Sequence, residues 1–244
     1  WIFDGVNFTF YDAYNADVTS PYPGTLNFRS ARSINDSGHI VGFYGSDTSH
    51  AVGYFRNLPI FNSYTPLSLL TPPTGASSVQ PLGINNCDEI VGLYTDTANH
   101  GFIGTPDGSL QTIAGVISAR AINTKGVIVG RYDKNQAFWL DSGVTGATPQ
   151  PFTVCATNPC TLNPTPLQTI ASGINSSQQI IGHYLGTIGT PAMAHTYGYL
   201  LDNSQPNATQ DPNAWTLFDV PGSFGNVPCA SGCNSNPFTP GTQP

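Results

Sequence analysis

A twelve-residue pattern recurs four times in this chain, as SINDSGHIVGFY from Ser33, GINNCDEIVGLY from Gly83, AINTKGVIVGRY from Ala121 and GINSSQQIIGHY from Gly173. A chain that repeats a short unit must bury each unit against its neighbours, which restricts it to stacked or radial architectures. Each copy reads as a short strand ending in Ile-Asn, a polar turn, and a second strand whose apolar run contains one Gly. A third strand with aromatic content follows, over His50 to Phe55, His100 to Ile103, Gln136 to Leu140 and Tyr197 to Leu201. A fourth apolar segment closes each unit, at Leu67 to Leu70, Leu110 to Ile113, Pro151 to Val154 and Trp215 to Val220. No stretch sustains a 3.6-residue apolar period, so each unit is expected to be a four-stranded antiparallel meander with almost no helix.

The copies start 38 to 52 residues apart, the size of one blade of a β-propeller. A parallel β-helix would need shorter rungs, and an immunoglobulin-like sandwich would not repeat internally. Radial repetition lets both faces of each meander be buried. The expectation is therefore an all-β chain, a β-propeller of about five four-stranded blades, with four complete repeats and an N-terminal half blade. Residues 1–222 carry the repeats, with the half blade over 1–12 and full blades over 30–70, 79–114, 118–154 and 167–220. Residues 223–244 form a Pro/Gly/Ser-rich C-terminal tail. The half blade lacks its first two strands, and an unpaired edge invites strands from a neighbour. Trp1, Phe3, Phe8 and Phe10 are the candidate assembly edge.

Within the pattern, Gly42, Gly92, Gly130 and Gly182 sit in mid-strand, where close packing between adjacent blades would require them. Asn35, Asn85, Asn123 and Asn175 stand where the first strand turns, the place for a side chain that bonds nearby backbone.

Only 9% of the residues are charged, far below the roughly 25% usual for soluble domains. Such a surface needs hydration by other means, glycosylation for example, or burial against copies of itself. Seven Lys and Arg face fourteen acids, so no basic stripe exists to neutralise phosphates, and nucleic acid is not an expected partner. No apolar run approaches the roughly 18 residues of a transmembrane segment. Cys155 with Cys160 and Cys229 with Cys233 form two close pairs in loops, and local disulfides are the favoured reading over zinc or free thiols. Disulfides imply an oxidising compartment. Cys87 is left over.

The GINNxGxIVGxY pattern followed by a His-Gly-Phe-like strand, clearest in GINNCDEIVGLYTDTANHGFI, resembles the extracellular HAF-type repeats of bacterial secreted proteins. The resemblance covers nearly everything up to Gly222, implies an extracellular or cell-surface location, and transfers no catalytic residue. The chain departs from that pattern at Cys87 to Asp88 and at Gln178 to Gln179, where the usual turn Gly is replaced. Those turns are expected to be reshaped.

No nucleophile elbow, HExxH pair, phosphate loop, dinucleotide fingerprint or EF-hand loop occurs. The expectation is no enzyme activity, no cofactor and no metal site. Asp47, Asp96 and Asp133 lie in comparable loops, and His50 and His100 stand at equivalent places before the third strand. Asp47, His50, Asp96 and His100 are the candidate glycan-binding loop residues, because sugars are recognised by aromatic faces and planar polar groups, and 27 aromatics are at hand. Tyr14, Tyr22 and Tyr64 are further loop aromatics. Sequons occur at Asn7, Asn35, Asn175 and Asn207, with Asn7 and Asn207 the candidate glycosylation sites. The leading expectation is a non-catalytic extracellular scaffold that self-associates through its incomplete blade, as a glycosylated filament subunit. The alternative is a monomeric propeller lectin.

Overall fold

Each copy of the twelve-residue pattern folds into two antiparallel strands joined by an Asn-anchored turn in the computed structural model. It describes residues 2–3, 8–9, 28–45, 47–57, 68–107, 109–154, 168–188, 193–205 and 207–218. Near the N-terminus, β1 (Ile2–Phe3) and β2 (Phe8–Thr9) form a two-stranded antiparallel sheet. Four sheets of four strands follow. The first holds β3 (Phe28–Ile34), β4 (His39–Gly45), β5 (Ala51–Asn57) and β6 (Ser68–Leu69). The second holds β7 (Ser78–Ile84), β8 (Ile90–Thr95), β9 (Asn99–Gly104) and β10 (Leu110–Thr112). The third holds β11 (Ser118–Ile122), β12 (Val127–Arg131), β13 (Ala137–Asp141) and β14 (Gln150–Phe152). The fourth holds β15 (Gln168–Ile174), β16 (Gln179–Ile188), β17 (Met193–Asp202) and β18 (Trp215–Phe218).

All four sheets are antiparallel meanders in chain order, and none closes on itself among the described residues. The only helical segments described are three 3-10 turns, at Thr48–His50, Ala208–Gln210 and Pro212–Ala214. No helix among the described residues is long and apolar enough to cross a membrane.

Consecutive sheets meet in one way. The main contacts between them all involve the first strand of the later sheet, laid against the first three strands of the earlier one. Three apolar cores result. Val41, Phe55 and Leu70 of the first sheet pack with Ile84, Ile90 and Phe102 of the second. Val91 and Ile113 then pack with Ala119, Ile122, Ile128 and Phe138. Val129, Ala137 and Phe152 finally pack with Ala171, Ile180, Tyr199 and Trp215. Each sheet thus presents a forward face to its successor and a rear face to its predecessor.

The mid-strand glycines serve a different purpose from the one expected. The first strand of every sheet carries a β-bulge, between Ala31 and Ser33, Pro81 and Gly83, Ala119 and Ala121, and Ala171 and Gly173. The carbonyls of Ser30, Gln80, Ser118 and Ile170 therefore press on Gly42, Gly92, Gly130 and Gly182, closer than any Cβ would permit. The third-strand rings of Tyr54, Phe102, Phe138 and Tyr199 cover the same glycines. Hence the space is required inside each sheet, by a bulge and a ring, and not between sheets. Room for the next sheet is made instead on the third strand: a Cβ at Gly53 would strike Val79 and Pro81, and one at Gly101 would strike Val116 and Ala119.

Nor are the two atypical turns reshaped. Asp88 and Gln178 adopt the left-handed conformation, at φ 60° and 64°, in the place that Gly38 and Gly126 hold at 78° and 80°. The same backbone bonds close all four turns, for example Asp88 N to Asn85 O at 3.1 Å and Gly126 N to Asn123 O at 3.1 Å. Cooperation of the turn with the two strands outweighs the roughly 1–2 kcal/mol a side chain loses there.

Candidate functional site

The four pattern asparagines form a spine that crosses all four sheets. Within its own turn, each carboxamide oxygen accepts from the backbone N–H groups two and four residues ahead: Ser37 and His39 for Asn35, Cys87 and Glu89 for Asn85, Lys125 and Val127 for Asn123, Ser177 and Gln179 for Asn175. The amide nitrogen then reaches to the next sheet. Asn35 Nδ2 donates to Asn85 O at 3.0 Å, Asn85 Nδ2 to Asn123 O at 3.1 Å, and Asn123 Nδ2 to Asn175 O at 3.0 Å. Carboxylate and amide oxygens accept further bonds from these nitrogens, Glu89 Oε2 from Asn85 and Gln179 Oε1 from Asn175 within the same turn, and Asp88 Oδ1 from Asn35 across to the next sheet. Between the first two sheets the tie is reinforced by His39 Nδ1 on Asp88 Oδ1 at 2.6 Å and by Asn86 Nδ2 donating to Asp36 Oδ2. Asn35, Asn85 and Asn123 are buried with these bonds made, which fits them as structural joints and unfits Asn35 as a glycan acceptor.

The loops that carried the glycan-binding expectation are closed on themselves. Asp47 accepts from Ser49 N at 2.8 Å and from His50 Nδ1 at 2.9 Å; Asp96 accepts from Ala98 N at 2.9 Å and from His100 Nε2 at 3.0 Å. The His50 hydrogen bond draws the Asp47 carboxyl below its ordinary range, and the Ala98 N–H, joined by His100, does the same for Asp96. Asp133 accepts from Asn135 N and Gln136 N. Each aspartate is the anchor of a tight turn. His100 also stacks on Tyr94, with ring centroids 5.0 Å apart. The turns hold carbonyls against the following sheet: Thr48 O accepts from Ser78 Oγ and Gln80 Nε2, and Lys134 O accepts from Gln168 Nε2. The structure pairs Asp47 with His50 and Asp96 with His100, each within one loop. No group of three or more His, Cys, Asp or Glu able to hold a metal is found among the described residues.

Asn207 is exposed at the start of a 3-10 turn, at φ 59°, with no capping hydrogen bond from its side chain, while Ala208 of the same sequon is buried. Cys87 is an exposed free thiol. Phe3 and Phe8 are partners in the backbone register of the β1–β2 ladder. Trp1, Asn7, Phe10, Cys155, Cys160, Cys229, Cys233 and the tail 223–244 lie outside the described residues.

Sequence reasoning missed the open forward face of the fourth sheet. Val41, Val91 and Val129 are fully buried by the sheet that follows, whereas the equivalent Ile181 is 51% exposed. Leu70, Ile113 and Phe152 are likewise buried, while the equivalent Phe218 is 52% exposed. The first strand of the first sheet shows the complementary pattern. Ala31 and Ile34 are exposed, although their equivalents Pro81 with Ile84 and Ala119 with Ile122 are buried against a preceding sheet. The rest of that rear face is covered, with Ile40 and Tyr54 buried. The spine is open at the same two places. Among the described residues, Asn35 O accepts only from Gly38 N where its equivalents accept a second bond, and Asn175, exposed, donates to no later sheet.

Compared with family models, curated proteins and solved structures, the chain matches none of them.

Proposed function

We propose that this protein is a non-catalytic extracellular structural subunit whose blade-like sheets fan around their first strands as in a β-propeller, and which associates head to tail with further copies of itself. The observation that carries this reading is the exposure of Ile181 and Phe218 where every earlier sheet buries the same positions. The occupant we assign to that face is the first strand of a second copy. Ala31 and Ile34 of β3 are the residues by which later first strands dock on a preceding sheet, and in this chain they are free to do so. Asn175 Nδ2 and Asn35 O would continue the spine across the contact. A heterologous contact of this kind propagates as a filament unless its rotation closes a ring. The scarcity of charge fits a surface destined for burial against copies, and the resemblance to HAF-type repeats supports an extracellular setting.

Sedimentation and electron microscopy of the full chain over a dilution series test the proposal. Association that grows with concentration is expected, lost in Ile181→Lys and in Ile34→Lys, while an equimolar mixture of the two variants gives dimers only, because one good head and one good tail remain. Both substitutions lie on exposed side chains, so folding is retained. A native chain that stays monomeric throughout, or variants that associate as it does, would overturn the reading.

A further inference from the structure

The connection between the second and third strands fastens one sheet to the next, at the end of the sheet away from the asparagine spine. In the first sheet Thr48 O accepts from Ser78 Oγ at 2.9 Å and from Gln80 Nε2 at 2.8 Å, both on the first strand of the second sheet. In the third, Lys134 O accepts from Gln168 Nε2 at 2.7 Å and Asn135 O from Thr169 N at 2.9 Å, both on the first strand of the fourth. Donors at the start of a first strand thus meet carbonyls of the preceding sheet. In the register of β3, Phe28 holds the place of Ser78 and Gln168, Arg29 that of Thr169, and Ser30 that of Gln80. Among the described residues no four-stranded sheet precedes β3.

The fourth sheet builds this connection differently. β4 and β8 stop three residues past the mid-strand glycine, at Gly45 and Thr95, and β12 stops one residue past, at Arg131, whereas β16 runs six residues past Gly182, to Ile188. Three further residues at about 3.3 Å each lengthen the hairpin by roughly 10 Å. Its last three pairs are Gly186 with His195, Thr187 with Ala194 and Ile188 with Met193. β15 begins only at Gln168, opposite Leu185, and β18 reaches only to Phe218, opposite Gly198. Beyond those points both outer edges of the ribbon lack a strand neighbour among the described residues. Residues 185–196 include no Asp, Glu, Lys or Arg. Folded proteins commonly guard a free strand edge with charge, and an edge without that guard is suited to pairing with another chain.

Resting on the head-to-tail reading above, we propose that the ribbon of residues 186–188 and 193–195 is an arm that holds the start of β3, residues 28–30, of a second copy. Three observations choose this occupant. The same connection in the first and third sheets grips that same stretch of the following first strand. The ribbon belongs to the sheet whose forward face is open at Ile181 and Phe218. It also carries no acidic or basic residue to repel an approaching strand. Ser30 Oγ and the Arg29 N–H are the donors that meet ribbon carbonyls, in the places of Gln80 Nε2 and Thr169 N. Arm and spine then fasten opposite ends of the contact between copies, as turn and spine do between sheets of one chain.

The test measures dimer strength by sedimentation in the equimolar mixture of Ile34→Lys and Ile181→Lys, where only the open face of the first chain and the β3 of the second can meet. The arm is cut back by replacing residues 186–195 with Asn-Gly, which closes a two-residue hairpin on Leu185 and Thr196. Shortening the Ile34→Lys chain alone is expected to raise Kd about tenfold, the worth of one or two net hydrogen bonds, and shortening the Ile181→Lys chain alone to leave it unchanged. An unchanged Kd in the first case overturns the arm and leaves head-to-tail association standing. An equal rise in both cases means that ribbon pairs with ribbon and overturns β3 as the occupant. A mixture that forms no dimer even with both arms intact removes the head-to-tail reading and the arm with it. Should the shortened chain fail to fold, hydrogen exchange in the native chain decides. Residues 28–30, 186–188 and 193–195 are expected to gain protection together as concentration rises, and protection around Ile181 without them overturns the proposal.

Discussion

Phe152 in the third sheet and Phe218 in the fourth hold the same place, each paired across the sheet with a small third-strand residue, Ala137 or Gly198. Phe152 is buried against the Tyr199 and Trp215 rings of the following sheet, at 6.5 and 6.0 Å between centroids. Phe218 turns back over Gly198 and stands half in solvent. Local pairing is alike, and the difference in burial follows the presence of a succeeding sheet among the described residues. Stability in such an array is a sum over units and the interfaces between neighbours, and among the described residues the fourth sheet has one interface fewer than the second and third.

The comparison breaks if equivalent substitutions in inner and outer sheets cost the same. Phe152→Ala is expected to destabilise by about 4 kcal/mol in denaturant unfolding, through lost burial and a cavity, and Phe218→Ala by under about 1 kcal/mol. Equal costs would mean that the Phe218 face is covered in solution. The spine gives a second, smaller contrast. Asn85→Ala leaves two part-buried turn N–H groups without a bond and takes one of its two bonds from the Asn123 carbonyl, for a loss of about 3 kcal/mol, whereas exposed Asn175→Ala should lose about 1 kcal/mol. If association does extend the spine, Asn175→Ala will also weaken it. The smallest effect has the opposite sign. Gln178→Gly relieves a left-handed side chain at the cost of unfolded-state entropy and should stabilise by about 0.5 kcal/mol, detectable as a shift in the denaturant midpoint at constant m.

Much of the fold was legible because its determinants are local. Alternating apolar residues and Asn turns placed the strands and the meander, and repetition supplied the number of sheets. The mid-strand glycines were seen but misassigned. Nothing in IVG announces that the opposite strand bulges, and only the bulge brings the carbonyl of Ser30 or Ser118 onto Gly42 or Gly130. Asp47 and Asp96 were also conspicuous, yet a lone sequence cannot separate an aspartate aimed at a ligand from one that ties its own turn, since both need the same residue in the same loop.

The sequence by itself determined the repeat, the antiparallel pairing within each unit and the asparagine at each turn, since these follow from contacts a few residues apart. Tertiary structure alone decided which copies of one position are buried and that the asparagines bond from sheet to sheet. The physical reason is that burial and electrostatic environment belong to the packing between units, and identical units acquire different surroundings from their place in the array.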